Sequence, residues 1–486
     1  MKKLSLLCGV FLFSFITNAQ TANSEKKEII KLDSIVVQAY RAGINTPVAY
    51  SRVSAKQIRN ISPTVSVPML MNTQPSVVST TEGGSGLGYS YMRVRGSDGS
   101  KINVTINGIA LNDAESQEVF WVDLPALTSF IESIQLQRGV GTSVNGSGAF
   151  GASLNIQTLP TTQDSYGVAD FSAGSWKSIS TTLGGGTGLT KKGLSFDVRY
   201  SNSHGNGYIR NSGGDLNSLF ARLGYYRNRN SFTFNYLYGS EKTGITWNGI
   251  PGYMMSINRR YNPAGEYFDS AGNTFFYDNE TDNYIQNHLQ GVYQHLFSGN
   301  LNLSLAVNYT NGYGYYENYK HDKKYSKYGL KPQNIDGSVF TKSDFITRAL
   351  LDNNYLASNL TLNYISANTT IISGTSYSYY FGNHFGRVLW SKYNEKIPEN
   401  FEWYRNEGNK SDFSIFSKWE QKLGQKLYSY IDIQYRRIIY DLSGCDSDLS
   451  GLNYRSFYNF FNPKAGITYN IDKNNSVFYL YIDILF

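Results

Sequence analysis

A strict two-residue alternation in the second half of the chain constrains its fold more than anything else in the sequence. Leu301, Leu303, Leu305, Val307 and Tyr309 alternate with Asn302, Ser304, Ala306 and Asn308. Leu194, Phe196, Val198 and Tyr200 alternate with Ser195, Asp197, Arg199 and Ser201, and Phe232, Phe234, Tyr236 and Tyr238 form a third such series. Successive side chains of a strand point to opposite faces, so each segment carries one apolar and one wet face. A soluble sandwich uses the same strands, and alternation alone does not choose between water and lipid. The connections do choose. Short links near 188–193, 228–230, 297–300, 366–368, 422–425 and 472–475 alternate with long ones at 204–216, 241–283, 312–353, 381–411 and 441–455. Tight turns at one end and long loops at the other are the pattern of an outer-membrane barrel. In a soluble domain, unstructured loops this long would count against the strand assignment. Segments of about ten residues also suffice to cross the apolar band at a tilt. The predicted fold is a transmembrane antiparallel β-barrel with about 13 strands between 166 and 486.

The composition agrees. Among 486 residues there are 40 Tyr and 46 Gly, with aromatics at 15% and charged residues at 17%. That is too aromatic for a disordered chain. The negative mean hydropathy and the lack of a later apolar stretch of about 20 residues argue against membrane helices. The net charge of +7 is scattered through loops and turns without a basic stripe, so nucleic acid is not an expected partner. Residues 1–19 read as a secretory signal peptide: Lys2 and Lys3, an apolar run from Leu4 to Ile16, then Thr17-Asn18-Ala19 before Gln20. Cys8 falls inside that run, which leaves Cys445 alone in the mature chain and excludes an intrachain disulfide. The aromatics of the long connections (Tyr313, Tyr315, Tyr316, Tyr319, Trp247, Trp390, Trp403) are expected to form interface girdles and loop packing.

Residues 44–160 differ in style. Pro63, Pro68 and Pro75 punctuate short segments before the glycine-rich stretch Glu82–Gly88. Strand-like runs follow at Tyr91–Arg95, Lys101–Ile106, Ile131–Gln137 and Ala152–Thr158, enough for one small α/β domain. Gly146-Ser147-Gly148-Ala149-Phe150-Gly151 matches a dinucleotide-binding pattern, but that reading needs a helix where Ala152–Thr158 reads as a strand. The histidines His204, His288, His295, His321 and His384 form no metal-ligand spacing, and no nucleophile turn is present. Asp446 and Asp448 are read as a solvated turn, because six or more oxygen ligands for calcium are not in view. No catalytic residue, metal site or cofactor is predicted.

Three stretches together resemble the TonB-dependent receptors of Gram-negative outer membranes. Asp33-Ser34-Ile35-Val36-Val37-Gln38-Ala39 is similar to a TonB box. Met92-Arg93-Val94-Arg95-Gly96 and Val104-Thr105-Ile106-Asn107-Gly108-Ile109 are similar to the central strands of the plug. Ile131–Gly139, with Gly146–Thr158, is similar to its closing motif. The resemblance implies a plug lodged in a barrel of about 22 strands. It also implies active import of a scarce ligand, usually a ferric siderophore or other iron chelate, energised by TonB of an inner-membrane complex. The domains expected are then a signal peptide (1–19), a periplasmic segment with the box (20–43), a plug (44–160) and a barrel (161–486). The box has a physical logic of its own, since an extended β-branched segment can add as a strand to an exposed sheet edge.

Arg93, Arg95 and Arg138 sit among apolar residues and glycines, and charges so placed need partners. With Gly96 and Gly139 they are expected to form a polar lock, paired to carboxylates on the inward barrel face. Outward-facing plug loops are expected to supply ligand contacts, with Tyr89, Tyr91, Asn112, Asp113, Phe120 and Trp121 as candidates. A monomer embedded in outer-membrane lipid is expected.

Two tensions remain in the sequence. Thirteen strands are fewer than the family's barrel, and closed single-chain bacterial barrels use even numbers. The final segment, 476–486, follows a short turn and would run outward, yet its alternation ending in Phe486 mimics a terminal assembly signal. Geometry favours a receptor partial or truncated within its barrel, with a non-functional truncated product as one alternative and a closed barrel of about 14 strands as another. Alternative ligands are a glycan or cobalamin, although the short segment Gln20–Lys31 argues against the glycan receptors, which carry an extra domain before the box. A passive porin or adhesin is the alternative from another class.

Overall fold

The computed structural model describes residues 41–483 apart from 44, 62–64, 85, 146–149, 395 and 473–474. The signal peptide and the box at 33–39 lie outside the described residues, as do Phe486 and most of the glycine-rich turn 146–149. Seven plug strands are described: β1 (Ala49–Ser54), β2 (Val77–Thr81), β3 (Ser90–Val94), β4 (Ile102–Ile106), β5 (Ile109–Ala110), β6 (Ile131–Arg138) and β7 (Ala152–Thr158). The order β1-β6-β7-β4-β5 makes one mixed sheet, with β4 and β7 parallel, while β2 and β3 form a separate hairpin. Short helices at Ala55–Ile61 and Val67–Met71 cover it. Ile58, Leu70, Met71, Val94, Ile106, Ile134, Leu136 and Leu154 are wholly buried in the resulting core.

A second sheet begins with β8 (Tyr166–Gly174), β9 (Ser178–Gly186), β10 (Leu194–Gly205), β11 (Gly214–Arg227) and β12 (Asn230–Gly244). A long connection carrying the small hairpin β13–β14 (Glu266–Phe268, Thr274–Phe276) leads to β15 (Thr281–Leu296) and β16 (Leu301–Lys324). Another small hairpin, β17–β18 (Gln333–Ile335, Ser338–Phe340), precedes β19 (Lys342–Ile365) and β20 (Thr369–Ser391). Then follow β21 (Phe401–Lys422), β22 (Leu427–Cys445), β23 (Gly451–Asn470) and β24 (Ser476–Ile482). Leaving out the two small hairpins, these form one 13-stranded antiparallel meander that ends at β8 and β24. Those two strands do not pair with each other, so the sheet is an open, partial barrel.

The alternation is realised inside out. Along β16 the polar members Asn302, Ser304, Asn308 and Thr310 are buried, whereas Leu305, Val307 and Tyr309 are exposed. Strands with wet residues inside and apolar ones outside belong in lipid, where the backbone must be satisfied by its own ladder. The wet face lines the plug, and the two share apolar cores at two seams: Ile109 and Val144 of the plug pack among Val292, Ala306, Ala357 and Phe416 of the wall, and a second seam lies at β11. There Phe130 of the plug stacks on Phe220 of β11 with ring centroids 4.5 Å apart. No described helix is long and apolar enough to cross a membrane, which says nothing about a barrel.

The short links fall where the sequence places them, but the long connections are shorter than expected. β16 runs on to Lys324 and β19 starts at Lys342, so most of 312–353 is strand. Likewise β20 and β21 consume most of 381–411. Tyr313, Tyr315, Tyr316 and Tyr319 are therefore strand residues rather than loop residues. Their Gly and Asn neighbours gave the stretch a loop-like composition, but aromatic residues favour a half-buried pleated surface and the pairing partner was present.

Leu360 lies on the apolar outer face six residues before the 366–368 turn. Leu360→Arg should lower folding stability in lipid vesicles by about 2–4 kcal/mol, read from urea titration of the folded, protease-resistant form. Val339→Arg, in the exposed β17–β18 hairpin, should change it by less than about 0.5 kcal/mol.

Candidate functional site

The site is built on the plug segment 107–124. Asn107 and Gly108 turn β4 into β5 with φ of 52° and 82°, values that suit an Asn-Gly hairpin turn. The loop beyond is braced from within. The Asn112 side chain accepts from Val104 N at 2.7 Å and donates to the Ile102 and Gln117 carbonyls at 2.9 and 2.8 Å. Asp113 Oδ1 accepts from the backbone N–H groups of Glu115 and Ser116 at 3.0 and 2.7 Å, an Asx turn. Trp121, buried in the plug core, anchors the single 3-10 turn Trp121–Asp123. This framework presents Glu115 on one side and Asp123 on the other.

Glu115 enters a socket in the wall. Its carboxylate accepts from Tyr380 OH at 2.9 Å, His384 Nε2 at 2.7 Å and Tyr440 OH at 3.0 Å, spanning β20 and β22. The intervening strand, β21, contributes Gly408, where a Cβ would stand 2.2 Å from Glu115 Oε1. Lys410 of the same strand donates to the Ala114 carbonyl. Burial alone would raise the Glu115 pKa, but the bonds from His384, Tyr380 and Tyr440 outweigh it and hold the group below the ordinary carboxylate range.

Asp123 meets the opposite wall. A Cβ at Gly239 of β12 would stand 2.0 Å from the Asp123 carbonyl oxygen, so the plug backbone touches the wall here only because that residue is glycine. Asp282 of β15 accepts from Tyr89 OH. Asp123 is 7% exposed, and its carboxylate has no hydrogen-bond partner among the described residues. Burial first, and then the nearby carboxylates Asp282 and Asp113, push its pKa well above the usual range.

Between these two attachments lies a cavity of about 340 Å³ at the long-loop end of the sheet. The plug lines it with Tyr89, Asn112, Asp113, Glu118, Phe120 and Asp123; the wall contributes Asp282, Tyr284, His288, Tyr316, Tyr380 and His384. Four of the six expected ligand-contact residues are thus brought together: Tyr89, Asn112, Asp113 and Phe120. Asn112 is chiefly a brace of the loop. Tyr91 and Trp121 fall elsewhere, on a separate cavity of about 380 Å³ with Val78, Met92 and Arg93. Trp121 is drawn there because its ring belongs to the plug core.

The expected lock is replaced by another. Among the described residues, Arg93, Arg95 and Arg138 form no ion pair with a barrel carboxylate. Arg93 and Arg95 are exposed, Arg95 at φ 52° beside Gly96 at φ 82°. Arg138, preceding Gly139, donates to the Pro75 carbonyl at 3.0 Å and Ser51 Oγ at 2.9 Å, all within the plug. The inward carboxylate does exist, as Asp432 of β22, but it holds plug backbone. It accepts from Ser143 N at 2.8 Å, while Lys464 of β23 reaches the Gly141 carbonyl at 2.8 Å. Lys464 and Asp432 are themselves 3.7 Å apart. The wall supplies both charges and the plug supplies peptide groups. Asp446 and Asp448 serve their own turn by accepting from Ser447 N and Ser450 N.

Sequence reasoning missed Glu115 and Asp123. A signal for the second was available: Asp123 is a lone charge in the apolar run Phe120–Leu124, the mark of a buried group that needs an explanation. The wall residues had no such mark, because which strand faces which plug loop depends on register and closure.

Comparison with known proteins places these features. The TonB-dependent Receptor Plug Domain family model matches residues 43–153. The vitamin B12 transporter BtuB of Vibrio vulnificus (strain YJ016) is 27% identical over 162 residues, which is 31% of this chain and 26% of that protein. The open form of the ferric-catecholate import receptor Fiu from E. coli K12 superposes with a TM-score of 0.66 at 14% identity, covering 90% of this chain and 70% of that one. The siderophore receptor PiuA from Acinetobacter baumannii gives 0.66 at 14%, covering 95% and 66%. The copper transporter OprC gives 0.64 at 11%, covering 87% and 61%. At such identities these structures speak for the fold alone. The chain therefore corresponds to about two thirds of the length of these structures and about a quarter of the curated relative.

Two outcomes follow for the plug loop. Asp123→Asn should raise the melting temperature in detergent at neutral pH. A raised carboxylate pKa costs stability above the unfolded value of about 3.9 and nothing below it, so the gain should vanish as pH falls under about 4. Glu115→Ala strips three hydrogen bonds from a charged acceptor and should destabilise by about 1.5–3 kcal/mol, with faster hydrogen exchange confined to residues 111–120.

Proposed function

We propose that this chain, a TonB-dependent receptor in its plug domain and fold, binds a small ligand at the long-loop end and delivers it across the outer membrane. The observation that carries the reading is the cavity itself. It lies where long loops open, and a plug loop forms one wall while barrel strands form the other. A ligand there touches both bodies at once, so binding can bias how the plug sits. A passive pore has no use for that arrangement.

The ligand we favour is a scarce one, a ferric siderophore or other iron chelate. The names of Fiu and PiuA support this by likeness of fold. Cobalamin is the second reading, supported by the BtuB match over 162 residues. Energy would come from TonB through residues 33–39. The lumen wall holds the plug through peptide groups at Gly141 and Ser143 and through the Glu115 socket. Such scattered polar contacts can be broken one by one by a pull on the N-terminal segment, whereas a continuous apolar seal would have to part at once. Export by the 1–19 signal peptide, a monomeric state and residence in the outer membrane complete the proposal.

Removal of residues 33–39 is the test. In cells that express the protein and depend on it, deletion should abolish uptake of an iron chelate while leaving surface binding unchanged. Ile35→Pro, which removes one backbone donor from the pairing strand, should do the same. Unchanged uptake in both variants would favour a passive pore or adhesin. Induction of the gene under iron limitation should accompany the iron-chelate reading.

A further inference from the structure

The import reading leaves the charge of the ligand open, and the lining of the cavity bears on it directly. Four carboxylates face the space: Asp113, Glu118, Asp123 and Asp282. No lysine or arginine lines it among the described residues. The cationic groups around it are engaged: His384, in the lining, donates to Glu115 at 2.7 Å. Lys410 donates to the Ala114 carbonyl behind the plug loop, and Arg348 is paired with Glu317 at 2.7 Å.

Acidity alone would be a solvated rim. Asp123 makes it more than that, because it is more than nine-tenths buried, lines the cavity and has no hydrogen-bond partner among the described residues. Close to it, Glu241 of β12 is 4% exposed, with Asp282 and Asp123 as its acidic neighbours. Buried charged groups are otherwise paired or bonded, so an unmet one at a cavity wall marks a place for an occupant. The remaining lining is aromatic. Tyr89, Tyr284, Tyr316 and Tyr380 present π faces and phenol oxygens, which attract positive charge. A bare metal ion fits poorly, because the described His, Asp and Glu residues form no group of three able to hold one. The volume suits a small organic molecule or part of one.

Resting on the import reading, we infer that this cavity takes a cationic ligand: an apolar or aromatic body that presents a protonated amine to Asp123 and Asp282. Tyr89, already bonded to Asp282, closes over the amine from the plug side. A polyanionic chelate finds four carboxyl groups and no lysine or arginine in the lining, and is rejected. The selectivity is electrostatic and comes from both bodies, Asp123 on the plug and Asp282 on the wall. Deprotonated Asp123 is tolerated only with a cation beside it, so occupancy and the charge state of the plug–wall seam are coupled.

The test uses one iron(III) trihydroxamate chelate in two forms, with a free primary amine or with that amine capped by a succinyl group. Binding to the detergent-solubilised full chain is followed by tryptophan fluorescence. The amine form should bind about ten- to a hundredfold more tightly than the capped form. Asp123→Asn should remove most of that preference, and Asp282→Asn, which keeps an acceptor for Tyr89, should do so independently should the first variant fold poorly. Equal or tighter binding of the capped form would overturn the charge assignment and leave the import reading standing. So would a preference that survives both substitutions, or displacement of the amine form by Cu²⁺ alone. Binding of neither form would sink the assignment as well, with import then judged by the deletion of 33–39.

Discussion

Lipid cannot hydrogen-bond a peptide, and that single constraint organises everything else here. It forces the second half of the chain into one antiparallel ladder and turns its apolar side chains outward. The polar set of each strand is left facing in. Asn302, Ser304, Asn308 and Thr310 would be a defect in a soluble core; here they form the lining of a lumen. A lumen of this kind needs filling, and the plug fills it without a continuous apolar seal. Its walls offer side-chain donors and acceptors, and the plug answers mainly with peptide groups: Gly141 O to Lys464, Ser143 N to Asp432, Ala114 O to Lys410. Peptide groups are present at every residue, so at these points the wall grips the plug without calling on its side chains, while Glu115 and Tyr89 add side-chain contacts of their own.

That division of labour explains what the sequence disclosed and what it withheld. Period-2 patterning at 194–200, 231–238 and 301–310 was sufficient for the strands, the short turns and the count of about 13, because alternation is a local property. Strand ends at the long-loop side were misjudged, since Tyr- and Gly-rich stretches such as Tyr313–Tyr316 look like loop until a partner strand is known. The plug segment 112–120 was legible as a loop from its position between strands, and it borders the cavity. The lock was not legible. Arg93, Arg95 and Arg138 drew attention as charges among glycines, but a wall that binds backbone leaves no trace in the sequence of what it binds. Lys464 and Asp432 lie 32 residues apart on neighbouring strands, and only the register of β22 with β23 sets them opposite each other.

The plug is not covered evenly. Wall contacts run from β10, through the glycine approach at Gly239, to Lys464 of β23. The β2–β3 hairpin has no such cover: Val78 is 61% exposed, Tyr91 is 38% exposed, and Arg93 and Arg95 are exposed beside them. This bare face and the two unpaired sheet edges, β8 and β24, are features of the same open geometry. In lipid an unpaired edge exposes a row of peptide groups, so the membrane form requires pairing along both edges.

Asp123 is where stability and function part. Its surroundings raise the cost of its charge: burial first, then Asp282 and Asp113. Nothing in the plug core recovers that cost, and asparagine would fit the same space without it. Native proteins place few unmet polar groups in their interiors, and those they keep cluster at sites that do something. Glu115 shows the contrast within one loop. It is also a buried carboxylate, yet three donors meet it and the wall yields a glycine to admit it, so it is fully explained by holding the loop in place. One end of the 113–123 segment is thus satisfied and fixed, and the other is charged, unmet and open to the cavity. A ligand that neutralises Asp123 changes the energy of the plug at that end alone, while the Glu115 end holds the loop as a lever against the wall.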